Sequence, residues 1–402
     1  MKLVKLKNFD YETKKKSNIL MLTSHIYDSK KRAGFHHLAN SFLNMGNCVT
    51  FCTVPNSILE MSNSIISTFF QKSDPHILYI RCLSVLYSIV PKKQGKLTKT
   101  SYSSFIYNFS ESSSYLSFLY KTRKVVKLDS LLRQIFLHGY SKSFSKKYDV
   151  IIFESTVGLF LFDMLQKLNP AAKIIYRVSD DLALFDPAKG LIDYEKIIIN
   201  KFDLISSTSS IITKKIAANM VNPNKIITQY HGINKQKYDQ EYLNPYDKTK
   251  KNLVFIGTGF MDEEFLKIVS NINQDWMFHI IGNLPKPVFS QNIIYYGEMP
   301  FDETIPYLKF ADVGLQIRSN SKGIETLEKS LKFIQYTYLK LPIIAPNYMK
   351  LTDAHIYSYE HTKASIENAI NQALSFNNKF VDSSMIMSWD EIATEMLKYG
   401  GV

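Results

Sequence analysis

The first candidates for chemistry are carboxylates that follow an apolar run near the middle of the chain. Ser179-Asp180-Asp181 come directly after residues 173–177 (KIIYR), which the pattern predicts as a strand. α/β proteins bind ligands at the carboxyl ends of parallel strands, where a carboxylate can remove a proton from a hydroxyl group. Ser and Asp are also favoured helix N-caps. Position alone leaves a general base and a helix cap as alternatives.

A second candidate is a lysine within a predicted helix. Residues 318–335 (RSNSKGIETLEKSLKFIQ) are typical of a strand end, a polar loop and a helix that begins near Thr326. Lys332 and Gln335 lie three residues apart and therefore share one helix face. A lysine that points into a cleft neutralises a diphosphate, whose oxygens also bind the amides at a helix N-terminus. The alternative is a solvated lysine on a surface helix.

A glycine-containing turn supplies a third candidate. Gly257-Thr258-Gly259 follows a predicted strand and precedes a predicted helix. Glycines at such a turn let the backbone approach a phosphate at the helix N-terminus. The dinucleotide-binding pattern G-x-G-x-x-G is incomplete, because Asp262 occupies the third glycine position. A plain tight turn explains the same residues.

Clustered metal ligands are missing from the sequence. No D-x-D pair occurs in the chain, and the histidines and cysteines form no cluster with zinc-ligand spacing. Enzymes that hold a diphosphate through a divalent cation use clustered carboxylates. We therefore expect no metal and no cofactor, with Lys, Arg and helix dipoles acting on the diphosphate instead.

The positive charge of the chain is concentrated in its N-terminal part. The 402 residues carry a formal net charge of +13, and the basic clusters fall mainly within the first 150 residues. An anionic membrane surface or a phosphate-bearing substrate would attract such a domain. A nucleic-acid partner is disfavoured, because no nucleic-acid motif is present and the basic residues alternate with aromatic ones over 101–127. That stretch is interpreted as an interfacial surface or as a helical insertion packed on the sheet.

Alternating strand and helix patterns predict an α/β fold of two Rossmann-like domains that face each other across a cleft. A chain of 402 residues exceeds the size of a single core, which favours two domains. No run of 18 or more apolar residues is present, so no transmembrane helix is expected. We expect domains over 1–233 and 251–385, a linker over 234–250, and a helix over 386–402 that crosses back to the first domain.

Several segments resemble GumK-type glucuronosyltransferases, which add glucuronic acid to a lipid-linked precursor. The similar segments are FESTVGLFLFDMLQKLNPAAKIIYRVSDDL (153–182), IYYGEMPFDETIPYLKFADVGL (294–315) and KSLKFIQYTYLKLPIIAPN (329–347). Weaker similarity follows the same order at 22–37, 230–234 and 255–265. The resemblance covers most of the chain except residues 56–145 and the extreme C-terminus.

The resemblance implies a GT-B fold, inversion at the anomeric carbon, no metal and a UDP-sugar donor bound by the C-terminal domain. It implies that the N-terminal domain binds the acceptor, a lipid-linked oligosaccharide, at the cytoplasmic face of the cell membrane, where the protein would be peripheral. The catalytic base of the family falls on Asp180. Its donor-binding residues fall on Gly257, Thr258, Glu298, Ser330, Lys332 and Gln335.

Two departures from the family pattern affect the donor site. Arg318 replaces a donor-contacting tyrosine, and Leu331 replaces a donor-contacting methionine. The first adds a cation beside the nucleotide or the sugar, so the identity of the sugar stays open, with glucuronic acid expected. Lys31 and Arg32 match two basic residues of the family and are candidates for binding a sugar carboxylate or the acceptor. A retaining GT-B transferase with another sugar nucleotide, or a non-catalytic binding protein of the envelope, are the alternative functions.

Overall fold

A computed structural model describes residues 16–25, 27, 32–57, 77–84, 147–185, 189–257, 261–282 and 288–402. Within these ranges the chain forms two parallel sheets flanked by helices. Lys31, Thr258 and the aromatic and basic stretch 101–127 lie outside the described residues.

Seven parallel strands form the first sheet: β1 (Asn18–Thr23), β2 (Cys48–Ser57), β3 (Ile77–Ser84), β4 (Val150–Glu154), β5 (Lys173–Val178), β6 (Leu204–Ser207) and β7 (Ile226–Thr228). Their order across the sheet is β3-β2-β1-β4-β5-β6-β7. The accompanying helices are α1 (Gly34–Asn44), α2 (Phe162–Leu168), α3 (Lys189–Ile198) and α4 (Ser210–Ala217). Every residue of β4 is buried, as expected for a parallel strand in a sheet covered on both faces.

A polar connection leads from the first sheet to the second and contains the short helix α5 (Lys235–Asp239). The second sheet holds β8 (Lys251–Ile256), β9 (Trp276–Ile281), β10 (Ile293–Gly297), β11 (Val313–Leu315), β12 (Ile343–Pro346) and β13 (Ile356–Tyr359), in the order β10-β9-β8-β11-β12-β13. Its helices are α6 (Glu263–Val269), α7 (Ile305–Lys309), α8 (Leu331–Tyr338) and α9 (Lys363–Leu374).

The last helix, α10 (Trp389–Gly400), returns to the first domain, as predicted. Trp389 and Met396 pack into the same apolar cluster as Phe35 and Phe42 of α1. A capping box formed by Ser388 and Glu391 fixes the start of the helix. The second sheet therefore lies, in sequence, between two parts of the first domain.

All strands are parallel, and the direction in which successive strands are added to the sheet reverses once in each sheet. In the first sheet the order switches between β1 and β4, and in the second between β8 and β11. Crevices open at the carboxyl ends of strands at such switch points. None of the described helices is long and apolar enough to cross a membrane.

The start of α8 differs from the prediction. A single helix beginning near Thr326 was expected, but Ile324–Leu327 is a 3-10 turn and α8 begins at Leu331 with Ser330 as its N-cap. The break leaves Glu328 free to accept hydrogen bonds from α4 of the first domain. The predicted position of the helix N-terminus, near Thr326, is therefore wrong. The free backbone amides at the start of α8 follow Ser330 instead.

Candidate active site

The two adjacent aspartates after β5 have different environments. Asp181 accepts a hydrogen bond from the Ala183 amide at 2.9 Å and forms an ion pair with Lys215 at 2.5 Å. The carboxyl group of Asp180 forms no ion pair with a described residue, and only its backbone amide is held, by Ser155 Oγ at 3.2 Å. The helix-cap interpretation therefore fits Asp181, whereas Asp180 stays available for chemistry.

The environment of Asp180 makes its carboxylate a stronger base. Burial raises its pKa to about 6, and the nearby charge of Glu154 acts in the same direction. The charges of Arg318 and His25 oppose the rise without cancelling it. A carboxylate with a pKa near the working pH is suited to general-base catalysis.

Glu154 connects the ends of three neighbouring strands. Its carboxylate accepts hydrogen bonds from Thr23 at the end of β1 and from Ser179 Oγ, 3.0 Å away, just after β5. His25 Nε2 lies 3.6 Å from the same carboxylate, and the imidazole is 35% exposed. Burial raises the pKa of Glu154, but His25 and the hydrogen-bonding hydroxyls outweigh burial and lower it overall. Glu154 therefore places a fixed negative charge behind Asp180.

Lys332 forms the opposite wall of the site, on α8. Its side chain is buried, and its Nζ lies 3.9 Å from the centroid of the Phe255 ring. Burial, followed by the charge of Arg318, lowers its pKa well below the usual value. Among the described residues no carboxylate forms an ion pair with Lys332. A buried cation without a counter-ion is suited to an anionic ligand.

The backbone next to Lys332 leaves room for that ligand. Gly257 has φ +147°, and a Cβ at this position would lie 3.6 Å from Lys332 Nζ. Ser330 caps α8 without a side-chain hydrogen bond to the helix, because its hydroxyl accepts from Gln316 Nε2 at 3.0 Å. The first amides of α8 therefore have no side-chain cap and can bind an anion.

Arg318 lies between the two walls. Its Nε is buried and has no hydrogen-bond partner among the described residues. Burial lowers its pKa to about 10, while Asp180 raises it. Its charge acts on both Asp180 and Lys332, so the guanidinium is close to the base and to the lysine together.

The remaining predicted site residues lie in varied places. Gln335 is buried and donates its amide to the Tyr238 hydroxyl. Leu331 packs against the apolar cluster of the first domain that contains Phe35. Glu298 is exposed just after β10, two strands from β8. Arg32 donates to the Tyr27 carbonyl and lies 5.5 Å from its ring.

Glu154 and Asp262 have roles that were not predicted from the sequence. Glu154 belongs to a continuous buried strand, where an acidic last residue is itself a signal. Asp262, which interrupts the glycine pattern, caps α6 by accepting from Phe265 N at 3.0 Å, and it also binds Tyr359 and His361. That aspartate is therefore structural.

The two walls are joined directly. Glu328 Oε1 accepts hydrogen bonds from Ser209 Oγ at 3.1 Å and Ser210 N at 2.7 Å, at the start of α4. A carboxylate at a helix N-terminus is favoured by the unpaired amides and the helix dipole. A Cβ at Gly323 would lie 3.4 Å from Leu184 Cδ2, so the loop before α8 also approaches the first domain there. These contacts hold Asp180 opposite Lys332.

Two facing Rossmann-like domains with a helix that crosses back define the GT-B fold. Solved structures with this fold match nearly the whole chain. HepE from Anabaena in complex with UDP and glucose has a TM-score of 0.55 at 10% identity, over 96% of this chain and 97% of that one. The calicheamicin glycosyltransferase CalG4 has a TM-score of 0.50 at 11% identity, over 96% and 98%. At these identities the likeness shows the fold alone, and it confirms the predicted fold class.

Sequence comparison gives a closer relationship. Residues 21–90 and 92–208 match the family model "Glucuronosyltransferase GumK, N-terminal domain". The UDP-glucuronate:glycolipid 2-beta-glucuronosyltransferase of Xanthomonas campestris pv. campestris is 29% identical over 236 residues, which cover 57% of this chain and 57% of that protein. The match thus spans little more than half of the relative. The chain is GumK-like, and the resemblance found from its motifs is confirmed.

Proposed function

We propose that this chain is an inverting glycosyltransferase that moves a sugar from a UDP-sugar to a hydroxyl group of a lipid-linked oligosaccharide. The observation that carries the proposal is the pairing of a base with a raised pKa, Asp180, with the buried cation Lys332 on the opposite wall, with Arg318 between them. The activity for which the Xanthomonas relative is named supports the same reaction.

The reaction is a single displacement. The acceptor oxygen attacks the anomeric carbon while its proton passes to Asp180. The bond from that carbon to the phosphate oxygen breaks, and UDP leaves with the electron pair. Lys332 and the first amides of α8 stabilise the developing negative charge on UDP. These cations and amides take the place of a metal ion in the proposal.

The donor proposed is UDP-glucuronate, the nucleotide sugar in the name of the relative. Gly257, Thr258 and Ser330 would lie along the diphosphate, and Glu298 would bind nucleotide hydroxyls. Leu331 and Gln335 would shape the same subsite from α8. Lys31 and Arg32 would contact the acceptor from the first domain.

The acceptor side faces the cytoplasmic surface of the cell membrane in this proposal, with the protein bound peripherally. The net charge of +13 and the clustering of basic residues toward the N-terminus support attraction to anionic lipids. Acidic and zwitterionic vesicles compared in a flotation assay test this part. Equal binding to both would contradict it.

A panel of UDP-sugars tests the reaction itself. The protein, incubated with each sugar nucleotide and an acceptor lipid extract, should consume one UDP-sugar preferentially and form a product of inverted anomeric configuration. Retention of configuration would indicate a retaining transferase. UDP binding without any turnover would indicate a non-catalytic binding protein.

A further inference from the structure

We infer that Arg318 is the residue that selects the donor, by binding a carboxylate on its sugar ring. The inference rests on the proposed function and names the substrate class of the same site, uronic acids. It starts from the position of Arg318 and from its unsatisfied hydrogen-bonding capacity.

An in-line displacement fixes where the sugar lies. The attacking oxygen and the departing phosphate oxygen are on opposite sides of the anomeric carbon, so the ring lies between Asp180 and the diphosphate at Lys332. Arg318 acts electrostatically on both of these residues. The charge of Lys332 is not among the influences on Asp180. Of the two cations, Arg318 is therefore the one that acts on the proposed base, and in the proposed complex its guanidinium would lie beside the ring.

The guanidinium of Arg318 has at least one hydrogen-bond donor without a partner among the described residues. Its Nε is buried and unpartnered among the described residues, and a buried unpaired donor is costly. Arginine presents its donors in a planar fork that matches a carboxylate with two parallel hydrogen bonds. A uronic acid carries a carboxylate where a hexose carries a neutral hydroxymethyl group. The guanidinium of Arg318 would therefore bind a uronic acid more tightly than a neutral hexose.

No neighbouring described carboxylate forms an ion pair with Arg318. Asp180 is the carboxylate that affects Arg318, yet no ion pair joins them and the pKa of Asp180 is raised to about 6. Arg32 is the alternative carboxylate reader, but its guanidinium is already bound to the Tyr27 carbonyl. Lys332 and the first amides of α8 bind the diphosphate in the proposed function. Among the described arginines, Arg318 is the one whose buried Nε has no hydrogen-bond partner.

The experiment measures dissociation constants of UDP, UDP-glucose and UDP-glucuronate by calorimetry. Wild-type protein should bind UDP-glucuronate more tightly than UDP-glucose. Arg318→Gln should weaken UDP-glucuronate by about 10- to 100-fold and leave UDP and UDP-glucose within about twofold. Arg318→Lys keeps the positive charge but loses the planar pair of donors, so its loss of affinity for UDP-glucuronate should be intermediate. Lys332→Ala is the control and should weaken all three ligands by a similar factor.

The outcomes separate the inference from the proposed function. If Arg318→Gln weakens UDP as much as UDP-glucuronate, the arginine binds the diphosphate and the inference is overturned. An unchanged preference for UDP-glucuronate in both arginine variants overturns it too, while transfer by the wild type leaves the proposed function standing. Wild-type protein that binds no UDP would overturn both. Thermal unfolding of each variant verifies that the fold is intact, and Arg318→Lys carries the test if Arg318→Gln does not fold.

Discussion

Ser179 Oγ donates a hydrogen bond to Glu154 Oε1 at 3.0 Å, one residue before Asp180. The contact ties the loop that carries the proposed base to a buried carboxylate on the adjacent strand. Since a nearby negative charge raises the pKa of a carboxyl group, the same arrangement increases the basicity of Asp180.

Glu154→Gln should move the acidic limb of the pH profile of kcat/KM to lower pH. Activity needs ionised Asp180, so it should fall as the pH drops through the pKa of that group, which is about 6. Without the Glu154 charge that pKa decreases, and activity persists at lower pH. Glu195→Gln is the matched control, because Glu195 hydrogen-bonds Tyr176 at 2.5 Å and is not among the groups that act on Asp180. A lower rate with an unmoved limb would show that Glu154 is purely structural.

Asp180→Asn should lower kcat by about 10²- to 10⁴-fold, the usual contribution of a general base. UDP affinity should be preserved, because the proposed UDP site lies on the other domain. Asp181→Asn is the control, since Asp181 is engaged by Lys215 and by the Ala183 amide. Steady-state kinetics and calorimetry measure the two quantities. Half of the activity remaining in Asp180→Asn would rule out this base.

Lys332→Ala should weaken UDP binding, and the wild-type affinity should fall at alkaline pH. A lysine binds the diphosphate only while protonated, and burial lowers the pKa of Lys332 well below its usual value. Affinity is therefore lost as the pH rises, beginning below the range in which a free lysine titrates. Lys329→Ala is the control, because Lys329 pairs with Asp353 at 3.5 Å. Equal UDP affinity in wild type and Lys332→Ala would refute the assignment.

Trp389→Ala should destabilise the protein by about 3–5 kcal/mol, the typical cost of truncating a large aromatic side chain in a core. Trp389 is 5% exposed and packs with α1 of the first domain. Phe380→Ala, at a side chain that is 75% exposed, should change stability by less than about 0.5 kcal/mol. Chemical denaturation measures both, and similar effects of the two substitutions would contradict the packing described here.

The strands were predictable because parallel sheets bury continuous apolar runs, such as β1 and β4. Strands β3 and β13 and helix α9 were not predicted. β13 is an edge strand of four residues with one buried position, so its sequence carries a weak signal. The position of Asp180 after β5 followed from the same local pattern.

Other features depend on contacts distant in sequence. The break before α8 accompanies hydrogen bonds from Ser209 and Ser210 to Glu328, more than a hundred residues away. The same holds for Glu154, whose role depends on Thr23 and Ser179 converging at its carboxylate. No local pattern encodes such contacts.

The return of α10 gives the two domains a second covalent connection. The Ile233 amide donates to Met387 O at 3.0 Å, and the Trp389 amide donates to Ile233 O at 3.3 Å, so the two crossing segments run side by side. The two crossings therefore form one hydrogen-bonded seam between the domains. Any rotation of the domains about that seam would also have to break the hydrogen bonds from Ser209 and Ser210 to Glu328.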